Sequence, residues 1–447
     1  MEAVSLCSYS QALPEAMLAL VHMDTMAVRS GGTIVTENEV DVAIIGAGAA
    51  GIAAGRHLMA ARPDLSLVVL EASARIGGRA RTEHFGAGLG ALDVGCGWLH
   101  GARTNAWTAI ARQLGLTIDD TRAPWDEGGR KLETNADARP AIRALEAFFE
   151  RISSHEGEDA ALSNLLPADG RWNEYVHAVG GFITGAGLDR SSVVDLQRYE
   201  PGPGPDWRVR EGYGTVVSAY GGPLSIELQT AVERIDHRAA DHVGISTSKG
   251  HLRVKAVIVT VATNVLANER IAFFPPLPEK IDAASRLPLG LANKLFMKVG
   301  RPDALPLDSH LLGSYRERRT GAYQIRPLGN PVVEGYYAGD LAHDLEHGGP
   351  KEAFQFGLTE LKRALGSDIG RQLSLICFSA WGSDPHIGGS YSYASPGASD
   401  LRRTLATPHD NRIFFAGEAC STGRYSTAHG AYDTGVMAAQ ELVKTIA

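Results

Sequence analysis

The chain has 447 residues, of which 44% are hydrophobic, and this length suits two structural domains rather than one. The 43 Lys and Arg residues are outnumbered by 51 Asp and Glu residues, so the formal net charge is −8, and no long basic block favours nucleic-acid binding. No apolar run approaches the roughly 20 residues that a membrane helix needs, and we expect no membrane contact.

Residues 1–38 form an N-terminal extension to which we assign no function. Their apolar stretch at 16–21 is short, and no Lys or Arg occurs before Arg29, so a secretory signal is doubtful. The four cysteines are scattered and form no C-x-x-C pair, which predicts neither disulfides nor a zinc site. We therefore expect a cytoplasmic protein without a metal.

Residues 40–71 have the pattern of a strand–turn–helix–strand unit that binds a dinucleotide. An apolar run at 42–45 predicts a buried parallel strand. The turn that follows has the form G-x-G-x-x-G, and its glycines are Gly46, Gly48 and Gly51. From Ala50 the chain continues as a predicted helix to residue 61. The N-terminal N–H groups of this helix would face the phosphates.

A second apolar run at 67–70 ends in Glu71, with Ala72 beside it. At this distance from the glycine turn a carboxylate accepts hydrogen bonds from ribose hydroxyls. The next residues favour FAD over NAD, because two more glycines and fixed cations suit a longer, extended cofactor. These residues are Arg75, Gly77, Gly78 and Arg79. They resemble the second glycine signature of the flavoenzyme group that includes amine oxidases and carotenoid desaturases.

Two proline-rich crossovers, at 201–205 and 274–278, divide the middle of the chain. The region 216–258 has strand-like runs, and a buried strand at 256–261 returns the chain to the dinucleotide domain. An amphipathic pattern at 136–153 predicts a packing helix rather than a site.

We therefore predict the α/β class, with a Rossmann-like FAD-binding domain built on a parallel sheet. An α+β substrate domain, with a mixed sheet and helices, completes the chain. The FAD-binding domain is discontinuous and comprises 39–121, 207–283 and 400–447. The substrate-binding domain comprises 122–206 and 284–399.

A second motif, near the C-terminus, also indicates FAD binding. A short apolar strand ends in Gly417 and Glu418, and a final helix opens near Ala428, with its N-terminus toward the flavin ring or ribityl chain. Residues 414–435 resemble the F-A-G-E…H-G-A-x-x-S-G signature of flavin amine oxidases, with Thr434 in the place of the serine.

In their order, these motifs resemble the flavin-dependent monoamine/polyamine oxidase family, from residue 40 to the C-terminus. Segment 92–101 is similar to the D-x-G-x-x-W-x-H-G segment of polyamine-type members, and Val232 matches a valine that flanks the FAD adenosine. The resemblance implies FAD as the cofactor. The further residues that it places near the cofactor are Gly97, Trp98 and Leu99.

The resemblance also implies catalytic residues. Lys294 falls where the family lysine holds a water against flavin N5, and a solvated strand lysine is the alternative. Trp381 and Tyr391 resemble the aromatic residues that flank the substrate amine. His100 could contact the amine or act structurally, and both interpretations stay open. His429 is expected to support the start of the last helix.

Two departures from the family pattern affect the expected cofactor and substrate. Ser390 stands where the mitochondrial monoamine oxidases carry a flavin-bonded cysteine, so FAD should be non-covalent. Thr427 stands where those enzymes have a second cage tyrosine, which puts a simple arylalkylamine preference in doubt. The acidic residues that could attract a polycation, although loop charges are usually only solvated, are Asp119, Asp120, Asp126 and Glu127.

We expect hydride transfer from an amine α-carbon to flavin, hydrolysis of the imine to an aldehyde or ketone, and reduction of O2 to hydrogen peroxide. The substrate class stays open among polyamines, cyclic amines, amino acids and aryl amines, and a homodimer is one option for the assembly. Three alternatives remain: an FAD-dependent desaturase or isomerase of polyenes, an amine dehydrogenase with another electron acceptor, and an FAD-bound scaffold without turnover.

Overall fold

The computed structural model describes residues 39–446 apart from 87, 126–128 and 133–134. The N-terminal extension, Asp126 and Glu127 therefore lie outside the described residues. The strands, in chain order, are β1 (Glu39–Ile45), β2 (Leu67–Leu70), β3 (Thr82–Glu83), β4 (Leu92–Asp93), β5 (Ile118–Asp119), β6 (Arg208–Val209), β7 (Ile226–Glu227), β8 (Val232–Asp236), β9 (Val243–Thr247), β10 (Gly250–Val259), β11 (Ala272–Phe274), β12 (Ala292–Val299), β13 (Ser309–Leu312), β14 (Ala322–Ile325), β15 (Val332–Ala338), β16 (Leu373–Phe378) and β17 (Ile413–Phe415). The α-helices are α1 (Ala49–Ala61), α2 (Ala106–Gln113), α3 (Ala138–Ser153), α4 (Asn173–Thr184), α5 (Val193–Gln197), α6 (Tyr213–Gly221), α7 (Thr263–Ala267), α8 (Pro278–Ser285), α9 (Gly339–Gly348), α10 (Pro350–Leu365), α11 (Leu401–Ala406) and α12 (Ala428–Thr445).

An eight-stranded sheet carries the glycine turn. Its order is β11-β8-β9-β10-β1-β2-β7, with β17 beside β10. β1 pairs in parallel with β10 and β2, while β8, β9 and β10 pair antiparallel. Alternate residues of β1 enter different cores: Val42 and Ile44 pack with α1 and α12, and Ala43 and Ile45 pack on the other face. This is why residues 42–45 of β1 are all apolar, as expected for a parallel strand covered on both sides.

A second sheet of five strands has the order β13-β14-β15-β12-β16 and pairs antiparallel throughout. Its strand β15 alternates: Tyr337 is fully buried in a core with β14, α9 and α10, whereas Glu334 and Tyr336 are less buried and face a cavity. Such alternation is typical of an antiparallel strand with one face in the core.

The predicted helix at 50–61, the strand at 67–70 and the helix at 136–153 are confirmed, with small differences at their ends. The strand-like prediction for 216–258 is wrong at its start, where α6 is helical. The Asp93 carboxylate accepts hydrogen bonds from the N–H groups of Tyr213 and Gly214, at 2.9 and 3.3 Å, and so caps this helix from a distant segment. The division into two domains stays a prediction. Within the described part of the chain, no helix is long and apolar enough to cross a bilayer.

Candidate active site

One large cavity, about 1200 Å³ in volume, extends from the glycine turn after β1 to the five-stranded sheet. Its volume exceeds the roughly 300–1,000 Å³ of a typical small-ligand pocket, which leaves room for a long cofactor together with a substrate. The cofactor wing is the part that Gly48, Glu71, Val232 and Gly417 line. The substrate wing is the part that residues of α3, α4, α5 and β13–β15 line.

The glycine turn leaves the N-terminus of α1 open toward the cofactor wing. Gly48 is the N-cap of α1, and no side chain caps its backbone N–H groups. Gly48 and Ala50 line the cavity, and Gly78 lies so close that a Cβ on it would be 3.2 Å from Gly48 Cα. The N–H groups and the positive end of the helix dipole suit an anionic group such as a pyrophosphate.

Glu71 bounds the cofactor wing at the end of β2, where Ala72 and Val232 also line the cavity. Its buried carboxylate accepts hydrogen bonds from the N–H groups of Ala47 and Ser73, both at 2.8 Å. A carboxylate offers about four lone-pair sites, so this fixed group can also accept from ribose hydroxyls. These residues fit the adenosine part of FAD.

Two arginines that the sequence assigns to the cofactor make contacts within the protein. Arg75 Nη1 donates to the Gly78 carbonyl at 2.8 Å, which supports the second glycine turn. Arg79 Nη1 donates to Glu418 Oε1 and to the Ser390 carbonyl, both at 2.8 Å. Both arginines line the cavity, and their contact with a diphosphate stays a prediction.

The Glu418 carboxylate joins the C-terminal motif to other segments. Besides Arg79, it accepts from the Ser392 hydroxyl at 2.7 Å and the Ser426 N–H at 2.9 Å. Burial raises the pKa of Glu418, but the charges of Arg79 and Arg402 and the Ser392 hydroxyl outweigh burial, so its pKa is lowered. Glu418 is therefore ionised, and its carboxylate links the segments that carry Arg79, Ser392 and Ser426 at the cavity.

Lys294 on β12 contacts residues of two other strands, β4 and β15. Its Nζ lies 2.9 Å from Glu334 Oε1 and donates to the Asp93 carbonyl, also at 2.9 Å. The side chain is only 10% exposed, so the alternative of a solvated lysine is wrong. Burial lowers the pKa of Lys294, but the charges of Glu334 and Asp93 raise it, and the net result is a raised pKa. The buried amine is therefore an ammonium ion.

The segment after β4 packs against Lys294 and Trp381. A Cβ on Gly97 would lie 3.2 Å from Lys294 Nζ, so the glycine leaves space for the ammonium group. Trp381 is buried after β16 and donates its Nε1 hydrogen to the Val94 carbonyl at 3.0 Å. Gly97, Trp98 and Trp381 all line the cavity.

Tyr391 and Tyr336 present a pair of hydroxyl groups at the cavity wall. Their oxygens are 2.7 Å apart, and the Tyr391 hydroxyl donates to the Phe182 carbonyl at 2.6 Å. Burial raises the pKa of both phenols, so both are neutral. Sequence analysis did not identify Tyr336 or Glu334. The alternation in β15 that places both on the cavity face is the signal that could have found them.

Thr427 and His100 also line the cavity, but their side chains make polar contacts with other residues of the chain. Thr427 Oγ1 accepts from the Gly430 N–H at 2.9 Å and donates to the Arg424 carbonyl at 2.6 Å, so it caps α12. His100 Nδ1 lies 3.0 Å from Asp206 Oδ2. The structure thus gives both side chains a structural contact, and a role toward substrate stays a prediction.

Two residues predicted at the cofactor do not line the cavity. A Cβ on Gly51 would lie 1.9 Å from the Gly46 carbonyl oxygen, so Gly51 serves the packing of α1 on the turn. Leu99 is fully buried, and its N–H donates to the Trp207 carbonyl at 2.8 Å. The other predicted cofactor residues lie at the cavity wall, which also includes Thr260, a residue that sequence analysis missed.

Outside the cavity, His237, His409 and Asp410 bring possible ligand atoms within 4.8 Å of one another. Arg412 Nη2 lies 3.8 Å from Asp410 Oδ2, so a guanidinium already balances part of this negative charge. The expectation that the protein has no metal stays a prediction.

The fold and the cavity define a flavin-dependent oxidoreductase, because an open helix N-terminus and a fixed acid at one end accompany a buried lysine and aromatic residues at the other. Residues 49–443 match the model of the flavin containing amine oxidoreductase family, and the chain belongs to this family.

The chain is similar to plant polyamine oxidases over most of its length. It is 31% identical to Polyamine oxidase 2 of Arabidopsis thaliana, over 92% of this chain and 90% of that protein. It is also 31% identical to Polyamine oxidase 3 of Oryza sativa subsp. japonica, over 89% of this chain and 88% of that protein. A solved structure of putrescine oxidase bound to putrescine matches with a TM-score of 0.73 at 20% identity, over 91% of this chain and 99% of that chain.

These comparisons confirm the predicted α/β fold, the family, the flavin cofactor and the enzyme class: the protein is an FAD-dependent amine oxidoreductase. They favour amine oxidation over the desaturase or isomerase alternative. The family model does not name a substrate. The substrate class is therefore inferred from the residues that line the cavity.

Proposed function

We propose that this protein oxidises a small amine at its α-carbon and uses O2 as the electron acceptor. Amine, O2 and water then give an aldehyde or ketone, ammonia or a smaller amine, and hydrogen peroxide. The observation that carries the proposal is the buried Lys294–Glu334 ion pair in the same cavity as Trp381 and Tyr391. A bound flavin supplies a hydride acceptor for the amine and, once reduced, an electron donor for oxygen.

The cofactor wing would hold FAD through several separate contacts. The N-terminus of α1 at Gly48 and Ala50 would bind the pyrophosphate, and Glu71 would accept from the ribose. Gly417, and Ala428 at the N-terminus of α12, would face the flavin end. Each of these residues lines the cavity, which supports the assignment.

We infer that FAD binds without a covalent link. Ser390, at the position of the flavin-bonded cysteine of some relatives, exchanges hydrogen bonds of 2.8 Å with the backbone of Ala292. Among the described cysteines Cys96 lines the cavity, and burial raises the pKa of its thiol to about 12. A thiol of this pKa is a poor nucleophile at neutral pH. We also propose a cytoplasmic location, which the lack of a disulfide among the described cysteines supports.

Lys294 would hold a water near the reacting atoms. An ammonium group has three N–H bonds, and Glu334 and the Asp93 carbonyl account for two of them. The third can bind a water molecule, whose position is then fixed by a buried ion pair. A fixed positive charge at this point also favours the formation of negative charge during oxygen reduction.

Trp381, Tyr336 and Tyr391 would position the amine and exclude water. Trp381 is buried and the two tyrosines are partly buried at the wall, and the two phenol groups are neutral hydrogen-bonding groups fixed by each other and by the Phe182 carbonyl. A dry, polar-rimmed wall of this kind suits an amine that must arrive neutral for hydride transfer.

The proposal is tested by mixing flavin-loaded protein with a panel of amines without oxygen and following flavin absorbance. Bleaching by an amine, followed by oxygen consumption with stoichiometric hydrogen peroxide when air is admitted, is the expected result. If an amine bleaches the flavin, and a quinone dye but not air reoxidises it, the electron acceptor is not O2. A flavin that no amine bleaches would contradict the proposed function.

A further inference from the structure

The substrate wing is built for an amine with one nitrogen and a bulky apolar body. We infer that this protein acts on such a monoamine and discriminates against diamines and polyamines; this inference rests on the proposed amine oxidation. It separates this chain from the proteins it resembles, whose names specify polyamines and putrescine.

The wall of the substrate wing is apolar over most of its length. Helices α3 and α4 line the substrate wing with aliphatic and aromatic side chains. These side chains include Ile142, Leu145, Phe149, Val179, Phe182 and Ile183. Burying apolar substrate area against such a wall contributes roughly 25 cal/mol per Å², so an apolar body gains affinity along the whole wing.

A second ammonium group would find no free carboxylate among the described residues of the substrate wing. Among the described residues that α3, α4, α5 and β13–β15 contribute to the wall, Glu334 is the one carboxylate. Its Oε1 is already paired with Lys294 Nζ at 2.9 Å. Moving an ammonium group from water to an apolar wall without a partner is strongly unfavourable, which disfavours any substrate with a distal cation.

Two of the four acidic residues that the sequence suggested for a polycation, Asp119 and Asp120, are described, and both lie away from the cavity wall. Asp119 is 4% exposed, and its Oδ2 lies 3.0 Å from Arg210 Nη2 and 3.8 Å from Arg208 Nη2. Neither Asp119 nor Asp120 lines the cavity, so neither contacts an amine bound there. Asp126 and Glu127 lie outside the described residues.

Two basic residues belong to the cavity wall at β13. Lys131 and His310 form a backbone bridge with each other, and both line the cavity. Burial, helped by the charge of Lys131, lowers the pKa of His310 to about 4, so this imidazole is neutral at physiological pH. Lys131 remains as a positive charge that repels a second ammonium and leaves an apolar or anionic tail acceptable.

The test compares amines of matched length on the flavin-loaded protein: hexylamine, 4-phenylbutylamine, 1,6-diaminohexane and spermidine. Apparent dissociation constants come from the amine dependence of anaerobic flavin reduction. We expect the two monoamines to bind at least about tenfold more tightly than the diamine or spermidine. Equal or tighter binding of the diamine, with the flavin still bleached, would overturn this inference while leaving amine oxidation intact.

If no amine bleaches the flavin, the proposed function itself fails. The preference of the wing is then measured by the shift of Tm with each compound. A larger shift with 4-phenylbutylamine than with 1,6-diaminohexane supports an apolar monoamine site, and equal shifts overturn it.

A matched pair of variants tests where the substrate body lies. Leu145 is a half-buried residue of α3 on the wing wall, so Leu145→Glu adds a carboxylate there and Leu145→Gln adds the same volume without charge. We expect 1,6-diaminohexane to bind about tenfold more tightly to Leu145→Glu than to Leu145→Gln, and hexylamine to show no such gain. Flavin content and Tm establish that both variants fold. Equal diamine affinities in two folded, flavin-loaded variants would contradict the placement of the substrate body in this wing.

Discussion

Lys294 and Glu334 lie on neighbouring antiparallel strands, and their charged groups meet at 2.9 Å. In the register of β12 and β15, Lys294 is opposite Tyr336, and Glu334 is opposite Phe296, so the ion pair is diagonal across the two strands. Both side chains are mostly buried. A buried charge without a partner is costly, so the ammonium of Lys294 and the carboxylate of Glu334 each compensate the charge of the other.

Replacing Lys294 with Met should slow flavin reduction or reoxidation by at least about 100-fold, because the fixed ammonium and the water that it holds are lost. FAD should remain bound, since the cofactor contacts at the glycine turn are unchanged. Stopped-flow absorbance with a reactive amine, and then with oxygen, measures the two half-reactions separately. Lys294→Met/Glu334→Gln is the control, because it removes the unpaired carboxylate as well. Unchanged rates in both variants would contradict the role of the ammonium.

Glu334→Gln should make activity more sensitive to alkaline pH. Burial lowers the pKa of Lys294, and without the carboxylate this effect loses its main opposition, so the ammonium should deprotonate at lower pH than in the wild type. The contribution of the ammonium is complete below the pKa of Lys294 and declines as pH rises through it, whereas protonation of the amine substrate limits activity at low pH. The measurement is kcat/KM against pH. If kcat/KM of Glu334→Gln declined at the same alkaline pH as that of the wild type, Glu334 would not control the protonation of Lys294.

The sequence analysis located the parts of the site that depend on local pattern. The strand, glycine turn, helix and acid between Glu39 and Glu71 follow from periodicity and glycine spacing, and the structure places them with small changes at their ends. Glu334 and Tyr336 were missed because their importance comes from pairing with β12, a contact between segments far apart in sequence. The error at α6 has the same origin, because the carboxylate that caps this helix belongs to Asp93.

Gly51→Ala and Gly48→Ala should fail in different ways. A Cβ at residue 51 would lie 1.9 Å from the Gly46 carbonyl oxygen, so Gly51→Ala should disrupt the turn and lower both Tm and flavin content. A Cβ at residue 48 meets only Gly78 Cα at 4.0 Å, so Gly48→Ala should fold normally. Its flavin affinity should fall by about tenfold or more if the pyrophosphate lies against this glycine. Wild-type flavin affinity in Gly48→Ala would move the pyrophosphate away from the turn.

Arg402→Met should destabilise the protein strongly. Arg402 is fully buried and binds Asp195 with two hydrogen bonds of 2.7 and 2.8 Å, so the substitution leaves a buried carboxylate unpaired. We expect a loss of about 3–5 kcal/mol in the free energy of unfolding. Arg198→Met is the matched control, because its partner Asp400 is exposed and such pairs contribute roughly 0–1 kcal/mol. Urea unfolding measures both, and equal losses would contradict the role of burial.

Acidification should destabilise the protein partly through His429. Burial lowers the pKa of His429 from 6.5 to about 4, so the unfolded chain takes up this proton at a higher pH than the folded protein. The resulting stability is present above pH 6.5 and declines as pH falls from there to about 4. His429→Gln should therefore reduce the loss of unfolding free energy across this window, by about 1–3 kcal/mol. The measurement is urea unfolding of flavin-loaded protein at several pH values, with the exposed His343→Gln as a control for general charge effects. Identical slopes for wild type and His429→Gln would mean that the pKa of His429 is the same in the folded and the unfolded protein, which would contradict the effect of burial.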